Sequence, residues 1–146
     1  MDLTKQYPRS VHDKVAGVVQ IGRTADKAHA HLAETLGEYD YGCPMDKAVL
    51  DFLGSTPEQF LEVVKKSPDD KGIEAFVREH ISGKTPSQIE QWNADWVQYG
   101  PHADSPGYDY FMTLRGKVAP DRTDITSWAD LLDLDEKRPV PHRVAA

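Results

Sequence analysis

Signals that start α-helices recur along this chain and restrict its fold more than any other feature. The segments TPEQ at 56–59 and TPSQ at 85–88 each place a hydroxyl residue at the N-cap, proline at the first helical position and glutamine at the third. This pattern is typical of a capping box with a preset first turn. Serine-proline pairs at 67–68 and 105–106 indicate further starts of the same kind. The chain therefore predicts several short helices.

The spacing of apolar residues between these starts agrees with helices. Ile73, Phe76 and Val77 recur at helical rather than alternating positions, as do the aromatic residues between 92 and 99. The segment 15–21 alone is open to either a short strand or a helix. We predict an all-α fold, with a single compact domain of about six to eight short helices over residues 1–134 and a loose, flexible tail over 135–146.

Charge and length exclude some classes of partner. The chain of 146 residues has 17 Lys and Arg against 24 Asp and Glu, a net charge of −7. Without a basic cluster it lacks the surface expected of a nucleic-acid or membrane-binding protein, so we expect neither partner. The sequence shows no apolar run of the ~20 residues that a membrane-spanning helix needs and no signal-peptide core, which predicts a cytoplasmic protein.

A predicted helix from Thr24 to Leu36, capped by Thr24 and ending at Gly37, carries two cations near its start. Arg23 and Lys27 lie on one side of it, and Gly22 permits close approach of a ligand to the helix N-terminus. Backbone N–H groups and a positive dipole end favour an anion there. Alternatively, both cations pair with carboxylates of the same helix on a solvated surface.

The single cysteine, Cys43, follows a glycine and precedes a proline at a probable helix start. The helix dipole favours a thiolate at such a position, and His29 or His31 would be its base if the fold brings them together. A small core residue is the alternative interpretation. One cysteine excludes an intrachain disulfide, and the two histidines point to different sides of the helix, so we predict no metal and no cofactor.

Four segments of the chain resemble a known family. They are PRS at 8–10, ADKAHAHLAETLGEYDYGCPMD at 25–46, TPSQIEQWNADW at 85–96 and DRTDITSWADLLDLDE at 121–136. Together they resemble the bacterial family called domain of unknown function 5069. The resemblance implies one integral domain and carries no assigned activity, substrate or cofactor. The residues that match the motif of the family are Asp26, Lys27, Leu36, Gly37, Tyr41, Cys43, Pro44 and Asp46.

These residues support two functions of different classes. The first is a binding or interaction module for a small anionic ligand or a protein partner. The second is an enzyme that acts on a small anionic substrate through Cys43 or a histidine. A homo-oligomer formed through apolar helix faces is a third possibility. The candidate ligand-binding residues are Arg23, Asp26, Lys27, His31, Tyr41, Cys43 and Asp46.

Overall fold

The computed structural model describes residues 1–143, and within that range the chain forms seven helices and one very small sheet, which confirms the predicted all-α fold. Residues 144–146, part of the predicted tail, lie outside the described residues. None of the described helices is long and apolar enough to cross a membrane. The elements are β1 (Lys14–Val15), β2 (Val18–Val19), α1 (Ile21–Leu32), α2 (Pro44–Leu53), α3 (Pro57–Lys65), α4 (Asp70–His80), α5 (Pro86–Gln98), α6 (Tyr108–Val118) and α7 (Trp128–Asp135).

The segment whose structure the sequence left open forms an antiparallel hairpin that leads into α1. Lys14 pairs with Val19 and Val15 with Val18, across a turn whose residues 16 and 17 both have positive φ. Two positive φ angles are typical of the tight turns that match strand twist. Val18 is fully buried, so the hairpin anchors the start of α1 in the apolar interior.

Helix α1 begins and ends earlier than the sequence predicts. Gln20, in the left-handed conformation with φ 73°, is the N-cap and makes no side-chain cap hydrogen bond. The prediction that Thr24 caps the helix is wrong, because Thr24 lies inside it and its buried hydroxyl donates to Asp46. At the other end, α1 ends at Leu32 with Ala33 as the C-cap, and both Glu34 and the predicted terminator Gly37 have positive φ, 57° and 61°.

The two capping boxes are confirmed, since in each the threonine hydroxyl accepts from the glutamine N–H and the glutamine side chain accepts from the threonine N–H. Gly54 ends α2 in the left-handed conformation, as its position predicts. The start signal at Ser67 is displaced by two residues. Asp69 caps α4 instead, because its carboxylate accepts from the N–H of Lys71, whereas the Ser67 hydroxyl donates back to a carbonyl of α3.

The chain divides into two compact units, Met1–Glu90 and a second that begins at Gln91. In the first, α1 packs against α3 and the hairpin, α3 against α4, and Phe60 is among the largest fully buried side chains. In the second, Phe111, Ile125, Leu131 and Val140 form a buried cluster. The single domain over 1–134 and the flexible tail stay predictions.

Candidate functional site

A buried ion pair joins α1 to the first turn of α2. The ammonium of Lys27 lies 2.9 Å from Oδ2 of Asp46, and the two side chains are only 6% and 0% exposed. Oδ2 also accepts from the N–H of Gly42 at 3.0 Å, and Oδ1 accepts from the Thr24 hydroxyl at 2.8 Å. The side-chain amide of Gln20 also donates from Nε2 to Oδ1 of Asp46 at 3.5 Å. Both carboxylate oxygens are therefore compensated inside the protein, as a buried charge requires.

Cys43 lies at the edge of this ion pair. Its Sγ accepts from the Lys27 ammonium at 3.2 Å, and its thiol is half-buried. Cys43 is also the N-cap of α2, directly before Pro44. The start of α2 thus presents a partly accessible sulfur in direct contact with the Lys27 ammonium.

The basic residues of α1 form a continuous stripe, and the loop of residues 33–43 folds back along it. Arg23, Lys27 and His31 are spaced four residues apart, which places them on one face of the helix. The ring of Tyr39 lies 5.7 Å from the Arg23 guanidinium, and the ring of Tyr41 lies 5.6 Å from that of His31. We name this face, with the loop residues that contact it, the basic stripe.

Tyr41 is fixed at one end of the basic stripe. Its hydroxyl donates to the carbonyl of Pro57 at 2.6 Å. Burial of the ring raises the pKa of Tyr41 well above its ordinary value, and the negative charges of Asp46 and Glu58 raise it further. Tyr41 therefore remains a neutral hydrogen-bond donor at physiological pH.

Arg9 occupies the position that the sequence suggested for a ligand near the start of α1. Its guanidinium binds the Asp26 carboxylate at 3.1 Å through two nitrogens and the Asp70 carboxylate at 2.6 and 3.1 Å. A Cβ at Gly22 would lie 3.0 Å from Arg9 Cζ, so the close approach that Gly22 permits is made by Arg9. Burial opposes the charged form of Arg9, but the hydrogen bonds with Asp70 and Asp26 raise its pKa overall.

The alternative in which Arg23 and Lys27 pair within their own helix on a solvated surface is wrong. Both side chains are buried, Lys27 pairs with Asp46 of α2, and Asp26 pairs with Arg9 from the N-terminal segment. The physical reason is that the chain before α1 and the start of α2 cover both sides of this helix.

The structure brings most of the predicted site residues together. Lys27, Cys43 and Asp46 are in direct contact, and Arg23, His31 and Tyr41 lie along the same stripe. Asp26 belongs to the Arg9 contact instead. Sequence reasoning assigned no role in the site to three residues that complete these contacts, although PRS at 8–10, which contains one of them, was among the matching segments. They are Arg9, Gln20 and Asp70.

In residues 1–143, no group of three or more His, Cys, Asp or Glu side chains is arranged so that it could hold a metal ion. The basic stripe and its surroundings present an ammonium, a guanidinium, a thiol, a phenol and an imidazole. Such a set can bind a small polar molecule or react through sulfur.

The fold and the site define a small all-α protein with a buried Lys–Asp pair next to a half-buried cysteine. The family model described as Domain of unknown function (DUF5069) matches residues 5–138, so the chain belongs to that family and the resemblance of its motifs is confirmed. No sequence among the curated proteins matches the chain.

Proposed function

We propose that the protein is a binding module for a small anionic ligand, which it holds along the basic stripe. One observation carries the proposal: Arg23, Lys27 and His31 line one face of α1, and a loop with two half-buried tyrosines covers that face. Cations concentrated beside aromatic walls are typical of sites for carboxylates and phosphates.

The individual side chains have complementary roles in this proposal. The Arg23 guanidinium is buried beside the Tyr39 ring and donates to the Arg9 carbonyl at 3.3 Å, so in this proposal it supplies positive charge at that end of the site. Lys27 adds further positive charge. His31 is exposed and reaches the ligand from solvent. Tyr41 donates hydrogen bonds only if it leaves Pro57, so its ring supplies the wall at that end.

The first experiment compares the intact mass of the purified protein under native and denaturing conditions, because a co-purified ligand would appear as added mass. The second is a thermal-shift titration with inorganic phosphate and with succinate. We expect one of these anions to raise Tm of the wild type.

The variant Arg23→Gln/His31→Ala removes two contacts of the basic stripe and leaves the Lys27–Asp46 pair intact. We expect it to lose the Tm increase, whereas Lys47→Ala, which removes an exposed cation from α2, keeps it. Far-UV circular dichroism checks that the double variant remains folded. An unchanged Tm increase in the double variant would refute the anion site.

An enzyme that uses Cys43 is a second candidate, and the 3.2 Å contact between the Lys27 ammonium and the sulfur favours it. In such a step the thiolate donates an electron pair to an electrophilic carbon of the substrate. A carbon–sulfur bond forms, and the leaving group departs with its bonding electrons.

Iodoacetamide tests this candidate directly, because its alkylation of sulfur releases iodide in the same way. We expect Cys43 to react faster at pH 7 in the folded protein than in urea, and Lys27→Met to abolish the difference. A folded protein that reacts more slowly than the unfolded chain would rule out an activated sulfur.

A further inference from the structure

The second unit carries an aromatic surface that the basic stripe does not use. Tyr99 and Tyr110 are 53% and 66% exposed, and both contact Trp128. The backbone N–H of Trp128 donates to the backbone carbonyl of Tyr99 at 2.9 Å. The ring centroids of Tyr110 and Trp128 are 6.0 Å apart. Trp96 stacks on Tyr99 with ring centroids 5.3 Å apart and planes 6° apart, and Trp92 stacks on Trp96. We name these five residues the aromatic surface.

A buried side chain and a close backbone contact support the aromatic surface. The buried ring of Phe111 meets Trp128 edge-on, with centroids 4.9 Å apart. At Gly100 the backbone lies directly against the carbonyl of Thr126, with no room for a Cβ between them. Backbone contacts therefore fix the main chain at Tyr99 and Trp128, and Phe111 packs against the Trp128 ring.

The charged side chains of the segment 91–114 all have one sign. Residues 91–114 contain no lysine or arginine, whereas Asp95, Asp104 and Asp109 are all exposed. Asp95 directly precedes Trp96, and Asp109 directly precedes Tyr110. The segment that supplies four of the five rings is thus purely acidic, and it complements a cationic partner.

We infer that the aromatic surface docks an arginine-containing segment of a partner protein. The planar guanidinium of arginine can stack on an exposed aromatic ring and can also form a bidentate hydrogen bond with a carboxylate. One arginine side chain can therefore contact both the rings and the acidic residues of this segment. The ammonium of lysine lacks that plane and binds rings less well. This proposal rests on residues of the second unit alone and is independent of the anion proposed for α1.

The probe is a fluorescein-labelled eight-residue peptide of alternating glycine and arginine, and binding is measured by fluorescence anisotropy. We expect Tyr99→Ala and Tyr110→Ala each to raise Kd about fivefold, the effect of one cation–π contact. Neither substitution changes the net charge, so the loss measures the rings. Tyr7→Ala, which removes a tyrosine that is 47% exposed in the first unit, is the matched control and leaves Kd unchanged.

Two further peptides complete the test. The same peptide with lysine in place of arginine binds more weakly, and the version with glutamate does not bind. All three tryptophans of the chain belong to the aromatic surface, so quenching of tryptophan fluorescence localises the arginine peptide there. Failure of the arginine peptide to bind would overturn the proposal. So would equal Kd values for the wild type and a Tyr99→Ala/Tyr110→Ala double variant.

Discussion

At the scale of the residue, the carboxylate of Asp46 depends on Lys27 for its charge compensation. Removal of one partner of a buried ion pair leaves an uncompensated charge. Because Asp46 is fully buried, we expect Lys27→Met to lower the free energy of unfolding by about 3–5 kcal/mol. Urea unfolding at pH 7, followed by far-UV circular dichroism, measures the change.

The double variant Lys27→Met/Asp46→Asn distinguishes the contribution of the ion pair to stability from that of the packing of the lysine stem. It removes the buried charge together with its partner, so we expect it to be more stable than Lys27→Met alone. A single substitution that costs less than about 1 kcal/mol would contradict the assignment of Lys27 as the essential partner of Asp46.

Sequence reasoning singled out residues that the structure brings into contact here, but it did not predict the contacts themselves. Lys27, Cys43 and Asp46 stood out because useful side chains are concentrated between 23 and 46. Their mutual contact depends on the path of the loop before α2, which periodicity does not specify. Arg9 and Asp70 are 61 residues apart, so no local pattern links them.

At the scale of the element, the capping box of α3 makes a separable contribution. The Thr56 hydroxyl accepts from the N–H of Gln59 at 3.1 Å, and alanine removes that acceptor. We expect Thr56→Ala to lower the free energy of unfolding by about 1 kcal/mol. Thr56→Ser keeps the acceptor and is the control. Equal losses in both variants would show that the cap hydrogen bond is not responsible.

Two glycines of the second unit are expected to change the stability of the protein in opposite directions when each is replaced by alanine. Gly100 lies against the Thr126 carbonyl, so a Cβ there displaces backbone and we expect Gly100→Ala to cost about 1–3 kcal/mol. Gly116, inside α6, has nothing within 4 Å of an added Cβ. Gly116→Ala should therefore stabilise the protein by about 0.5–1 kcal/mol. Thermal unfolding of both variants tests the pair, and destabilisation by Gly116→Ala would contradict it.

The boundaries of elements were predictable where one local contact decides them. The capping boxes at 56–59 and 85–88 are complete within four residues, and the structure contains both. Thr24 has the same kind of side chain but donates to Asp46, a partner 22 residues away. The start of α1 is instead set by the hairpin and the left-handed Gln20, which no capping pattern indicates.

At the scale of the whole molecule, arginines hold carboxylates in both units, and this makes stability depend on pH. Hydrogen bonds from Arg9 lower the pKa of Asp70, and those from Arg122 together with the N–H of Arg143 lower that of Asp124. Burial lowers the pKa of His29 from its ordinary 6.5. In all three cases the unfolded chain binds more protons than the folded protein, so acid favours unfolding.

The imidazole of His29 and the carboxylates of Asp70 and Asp124 affect stability in different pH windows, so their contributions can be measured separately. The contribution of His29 is present above pH 6.5 and is lost as pH falls through its lowered pKa; those of Asp70 and Asp124 are present above about pH 4 and are lost below it. We expect His29→Gln to flatten the pH dependence of the free energy of unfolding only around and below pH 6.5. We expect Asp124→Asn to flatten it only below about pH 4. Urea midpoints at pH 8, 6, 5, 4 and 3 measure both. If Asp124→Asn keeps the wild-type slope below pH 4, the contacts of Asp124 with Arg122 and Arg143 do not cause the acid sensitivity.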